Sequence, residues 1–221
     1  MINVSHSWKL IFSAVCFFVF DPIETISVKA EDISVESDVV IHDNAIVLDN
    51  YELTLDDIRR IFEFSEELLI NDRKVPDSII ITSNGGDLGG ALALSNVVNI
   101  FKYRLLAKER CLSSCAMALI LSNDAGIVLG TRVWFHGVSS RLASTDLDVV
   151  RRQLKELLIE KSVLQDDVID RIVSLKEEEI RVPTIYELIE YRIIQWIFDP
   201  NDSTLMKGDI WCVENKDVCH P

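Results

Sequence analysis

Short continuous apolar runs alternate along the chain with longer stretches whose apolar residues recur every three or four positions. The first kind predicts strands, at 39–41, 45–53 (AIVLDNYEL), 77–82 (DSIIIT), 103–107, 127–129 and 132–135. The second kind predicts helices. Ile58, Ile61, Phe62, Leu68 and Leu69 mark one from Leu55 to about residue 70, opened by Thr54 as N-cap with Asp56 and Asp57 in its first turn. Others are expected at 88–101 (LGGALALSNVVNIF), 114–121 and 184–197. The run 77–82 sits between Pro76 and Gly85-Gly86 and is apolar at successive positions, the pattern of a strand covered on both faces. Strand, helix, strand, helix, strand in that order predicts an α/β domain of repeated βαβ units on a mostly parallel sheet.

From 147 to 175 the pattern changes. Val149, Val150, Leu154, Leu157, Leu158, Val163, Val168 and Ile172 recur among many charges, which predicts a helical hairpin or one long bent helix projecting from the sheet. With 221 residues, 48% of them hydrophobic, the chain is long enough for one substantial core. Its net charge of -14 repels phosphate backbones, and no basic stripe opposes that field, so nucleic acid is not an expected partner.

The first 30 residues read as an export signal: Lys9, then the apolar run 10–20 (LIFSAVCFFVF), then the small-residue site Val28-Lys29-Ala30. The mature chain then begins at Glu31, in the periplasm or outside the cell. The apolar run is shorter than the roughly 20 residues of a spanning helix, so anchoring to the membrane by an uncleaved segment is the second reading. Of five cysteines, Cys111, Cys115, Cys212 and Cys219 remain after cleavage. The short-range pairings Cys111–Cys115 and Cys212–Cys219 are expected, although four cysteines allow three connectivities. The CxxxC spacing differs from the CxxC redox motif and supplies too few ligands for zinc, and no metal is expected.

In open α/β sheets, chemistry gathers where strands turn into helices. Two such turns stand out. Ser83-Asn84-Gly85-Gly86-Asp87 follows a buried strand, and its glycines allow backbone amides to turn toward a negative oxygen, or simply make a tight turn. Cys111-Leu112-Ser113-Ser114-Cys115 precedes a helix whose free amides would stabilise an oxyanion, while its small residues equally suit close helix–sheet packing. His136 ends the strand RVWFH, and a serine nucleophile needs such a base, an imidazole with a pKa of about 6.5.

The stretch from Ile79 to Gly137 resembles the proteolytic subunit of Clp protease and its exported relatives in the Clp/crotonase superfamily. Ile81-Thr82-Ser83-Asn84-Gly85-Gly86 is similar to the family's strand ending in SPGG, Gly89-Gly90-Ala91-Leu92-Ala93-Leu94 to its next helix, and CLSSC to the CxSxC form of its nucleophile segment. Residues 130–136 (GTRVWFH) resemble the strand that delivers the catalytic histidine. The likeness runs over about residues 45 to 195. It implies a Clp/crotonase-like core of 31–144 and 178–200, a handle-like helical extension at 145–177 and an acidic, cysteine-containing tail at 201–221.

Carried onto this chain, the resemblance implies Ser113 as nucleophile and His136, 23 residues later, as base. It assigns the oxyanion hole to the backbone amides of Gly86 and Ser114. The third member falls on Glu179, or Glu178 as second choice, because no aspartate lies nearer than Asp170. Asn84 departs from the proline of SPGG, and Arg192 stands where the family's YG turn has glycine. The activity implied is an exported, ATP-independent serine peptidase acting through an acyl-enzyme on peptides or unfolded chains. It would need no cofactor and no ATPase partner, and a homo-oligomer is among the expected assemblies. A catalytically silent binding or assembly protein and, further off, a crotonase-like acyl-CoA enzyme are the alternatives.

Overall fold

In the computed structural model, which describes residues 39–42, 44–49, 52–138, 146–215 and 217, strand β1 (Val39–His42) turns back antiparallel into β2 (Ala45–Leu48). A short β3 (Glu52–Leu53) leads into helix α1 (Leu55–Ile70), followed by β4 (Ser78–Ser83), β5 (Gly85–Gly86) and α2 (Leu88–Phe101). Then come β6 (Arg104–Leu112), α3 (Ser114–Leu121), β7 (Ala125–Val128) and β8 (Arg132–His136). The remainder is α4 (Leu147–Lys161), α5 (Asp166–Val173), β9 (Ile180–Arg181), α6 (Ile185–Glu190), β10 (Trp196–Asp199), β11 (Thr204–Lys207) and α7 (Gly208–Glu214). The expected export signal at 1–30, together with Cys219 and His220, lies outside the described residues.

The main sheet runs β1-β2-β4-β6-β7-β10-β11. Its five central strands, β2 to β10, are mutually parallel, and the two outer pairings are antiparallel. Because β2, β4, β6 and β7 follow one another in space as in sequence, each crossover moves in the same direction, and α1, α2 and α3 pack side by side. The expected α/β architecture with a mostly parallel sheet is the one observed. Parallel register aligns core residues in rows: Leu48, Ile81, Ala107, Ile127 and Ile197 face each other across five strands, each at 0–1% exposure. Burying one such isoleucine or leucine stabilises the fold by about 1.5–3 kcal/mol.

Helix α1 begins where the sequence indicated, with Thr54 Oγ1 accepting from Asp57 N–H at 3.3 Å. Elsewhere tertiary pairing moved the boundaries. The run 45–53, read as one strand, is two: β2 joins the main sheet beside β4, whereas β3 pairs with β5 in a separate two-stranded sheet. The helix expected at 184–197 stops at Glu190. Arg192 then takes a left-handed φ of 58°, and Trp196–Asp199 pairs in parallel with β7. That φ is what a glycine would adopt freely, so the turn persists with arginine in its place.

Strand β6 is longer than expected and is used twice. Its first half pairs with β4 and β7; then two extra residues are accommodated opposite β4, with Glu109 at φ 59°, and the second half pairs with β8. This bulge re-aims the strand end. Helices α4 and α5 bury Leu154, Leu158, Val168, Ile169 and Ile172. Two of these, Leu154 and Ile172, reach the cleft described next.

Candidate active site

Ser113 is the junction between β6 and α3. Its amide donates to Trp134 O at 2.9 Å, tying it to β8, and its carbonyl accepts the first helical bond, from Met117 N–H at 3.2 Å. The amides of Ser114, Cys115 and Ala116 therefore precede the ladder of α3 and have no acceptor within it. Ser113 has φ 55° and ψ -119°, a conformation that costs a non-glycine residue about 1–3 kcal/mol and persists only where its surroundings impose it.

Those surroundings are a covalent bridge on one side and two glycines on the other. Cys111, near the end of β6, is disulfide-bonded to Cys115 in the first turn of α3, with a Cα–Cα distance of 5.2 Å and both residues fully buried. The short-range pairing expected for these two cysteines is the one formed. Cys212 is also disulfide-bonded; its expected partner, Cys219, lies outside the described residues. Opposite the bridge, the loop of Gly85 presses on the elbow so closely that a Cβ on Gly85 would lie 2.9 Å from both Leu112 O and Ser113 Cβ. Ser83 fixes that loop: its hydroxyl accepts from Gly85 N–H at 3.0 Å. Asn84, in the proline's place, accepts from Arg110 Nε at 2.8 Å and links the loop to β6.

Ser113, Ser114, Gly86 and His136 all line one cleft of about 130 Å³, walled by Leu88, Met117, Phe135, Val138, Leu154 and Ile172. The structure thus brings together four of the residues singled out in the sequence. His136 is exposed and Ser113 half-buried, and among the described residues the two share no direct hydrogen bond. Such contacts commonly tighten only with substrate bound.

Glu179, the first choice for third member, is one residue from Ile180, the strand partner of His136, and its carboxylate is taken up by the backbone. Its carboxylate accepts from Lys176 N–H at 2.9 Å, its own amide donates to Lys176 O at 3.0 Å, and Glu178 beside it is exposed. The imidazole Nδ1 lies 2.7 Å from Gly137 O instead. A carbonyl can only accept, so in this contact Nδ1 is the donor.

Sequence reasoning about side chains had no means of finding a main-chain partner. The one available hint was the glycine itself. A Cβ on Gly137 would come within 3.0 Å of the Leu175–Lys176 backbone, and Gly137 N–H donates to Lys176 O at 3.1 Å. Glu179 therefore holds the turn against which Gly137 rests.

No protein-family model matches the sequence, and no curated protein sequence matches it. By structure the chain is similar to a point mutant of ClpP1 from Listeria monocytogenes: the TM-score is 0.54 at 13% identity, over 72% of this chain and 94% of that one. The fold is Clp-protease-like.

Proposed function

We propose that this protein is a serine peptidase that works outside the cytosol without an ATPase. The observation that carries the reading is the backbone of Ser113, held at φ 55° between a disulfide and a glycine loop and facing a cleft shared with His136. In this mechanism Ser113 Oγ attacks a peptide carbonyl while His136 Nε2 takes its proton. Gly137 O keeps the Nδ1–H oriented, the role a carboxylate fills in the familiar triad. The amides of Gly86 and Ser114 receive the developing oxyanion. His136 then returns the proton to the leaving amine, and water hydrolyses the acyl-enzyme by the same route. The export pattern at 1–30 and the buried Cys111–Cys115 bridge support a location beyond the reducing cytosol.

An imidazole without a carboxylate partner among the described residues favours a second reading, a binding protein on the same fold. A fluorophosphonate probe separates the two. Wild type is expected to be labelled at Ser113 and Ser113→Ala to lose at least about a thousandfold in labelling rate. Equal labelling of both would discard the peptidase reading.

A further inference from the structure

A chain of hydrogen bonds leads from a carboxylate to the imidazole without the two touching. Glu179 accepts from Lys176 N–H at 2.9 Å and its own amide donates to Lys176 O at 3.0 Å, so a side chain and the backbone both close the turn 176–179. The same Lys176 O accepts from Gly137 N–H at 3.1 Å. Gly137 O in turn accepts from His136 Nδ1 at 2.7 Å. The side chains of Glu177 and Glu178, in the same turn, are exposed and make no hydrogen bond or ion pair among the described residues.

Glycine at 137 gives this link its consequence. It has no side chain to restrict its own φ and ψ, so the direction of its carbonyl is set from outside. The bond of its amide to Lys176 O is one constraint. The other is contact with the Leu175–Lys176 backbone, so close that a Cβ would lie 2.2 Å from Leu175 O and 2.3 Å from the Lys176 carbonyl carbon. One residue past Glu179, Ile180 pairs with His136 itself. A shift of the turn therefore moves the oxygen that receives the Nδ1 proton. A neutral imidazole carries its proton on one nitrogen, and the hydrogen bond made there decides which. Without Gly137 O in place the proton is free to move to Nε2, and a protonated Nε2 is no base for Ser113.

We infer that Glu179 is a positioning residue: by holding the Lys176 amide it keeps Gly137 O aimed at His136 Nδ1, and so keeps the base in its working tautomer. The inference rests on reading this cleft as a peptidase site. It gives the carboxylate a part in the reaction through the main chain, and what it requires at position 179 is an acceptor oxygen rather than a charge.

The test compares Glu179→Ala, which removes the acceptor, with Glu179→Gln, which keeps an accepting oxygen and discards the charge. Glu177→Ala removes a charge from the same turn and no bond. Both positions are exposed, so none of these changes opens the core. In the full chain the maximal rate of fluorophosphonate labelling should fall roughly 10- to 100-fold in Glu179→Ala, the scale of a small misplacement of a reacting group. The half-saturating probe concentration should not change, Glu179→Gln should recover most of the rate, and Glu177→Ala should match wild type. Equal losses in Glu179→Ala and Glu179→Gln overturn the inference, because the charge would then be what matters. A full rate in Glu179→Ala, a loss confined to the half-saturating concentration, or a matching loss in Glu177→Ala also overturns it.

Imidazole nitrogen chemical shifts in Ser113→Ala provide a readout that needs no reaction. Measured about two units above the ordinary imidazole pKa of about 6.5, they should show His136 protonated on Nδ1. Adding Glu179→Ala should shift the proton toward Nε2, and adding Glu179→Gln should not. That pattern upholds the positioning role even if Ser113 resists the fluorophosphonate and the peptidase reading fails. A proton already on Nε2 in Ser113→Ala, or one that stays on Nδ1 after Glu179→Ala, overturns it.

Discussion

The two ends of β6 bury similar groups under opposite terms. Just before the strand begins, Tyr103 is fully buried; its Oη donates to Ser65 Oγ at 2.6 Å, and Ser65 Oγ donates onward to Ile61 O at 2.6 Å. The ring stacks on Phe101 at 5.8 Å, and Phe101 meets Phe62 edge-on at 5.4 Å. Backbone and polar atoms there are at ease. Just beyond the other end, Ser113 has a strained backbone and Ser114 a hydroxyl without a partner among the described residues. In a parallel sheet the carboxyl end of a strand is where a cleft opens. One strand therefore carries an anchoring end, whose polar groups are satisfied, and a cleft end, whose backbone is strained; on the proposed peptidase reading that strain holds the reacting groups in place.

The comparison can be broken most readily at the anchoring end. Ser65→Ala strands the Tyr103 hydroxyl in the core, and should cost about 1–3 kcal/mol in denaturant unfolding. A loss near zero would mean that this corner is no better satisfied than the other. At the cleft end the sign reverses. Ser113→Gly releases a conformation that glycine adopts freely, and after glycine's own entropic cost should gain about 1 kcal/mol while abolishing probe labelling. A destabilised Ser113→Gly would show that no strain is stored at the elbow.

Tyr103→Phe is the mildest change, about 0.5–1 kcal/mol at neutral pH, because Ser65 keeps Ile61 O. Its sharper signature is alkaline. Burial pushes the Tyr103 phenol above its usual 10.0, against the lowering effect of the Ser65 hydrogen bond. A phenol whose folded pKa is raised contributes stability in full below pH 10.0 and loses it as pH rises above that toward the folded value. Unfolding free energy measured against pH should therefore fall less steeply above pH 10.0 in Tyr103→Phe than in wild type. Parallel alkaline limbs would remove Tyr103 as the cause.

Elements driven by local composition were legible in the sequence. The apolar run in β4, the small-residue helix α2 and the RVWFH strand declare themselves; the glycine loop, a serine at the start of a helix and His136 stood out by position, and the choice of Ser113 over Ser114 came from the family resemblance. What escaped depends on partners distant in sequence. Ile193, Ile194 and Ile197 satisfy a helical period, yet Ile197 belongs to a strand because β7 offers it an unpaired edge. Glu179 lies near His136 in the fold because Ile180 pairs with it across β9 and β8, but the nearer amide of Lys176 captures the carboxylate. The imidazole's acceptor is a main-chain oxygen, which every residue possesses and no residue type reveals.

The bridge between Cys111 and Cys115 also ties the chemistry of its sulfurs to the opening of the fold. Both sulfur-bearing residues are at 0% exposure, one at the end of a central strand and the other in a helix buried on all sides. In the closed fold neither sulfur meets solvent, so the cross-link is made or broken only while this part of the chain is open, during folding or by local unfolding. A reductant therefore reaches the elbow of Ser113 no faster than the elbow itself opens.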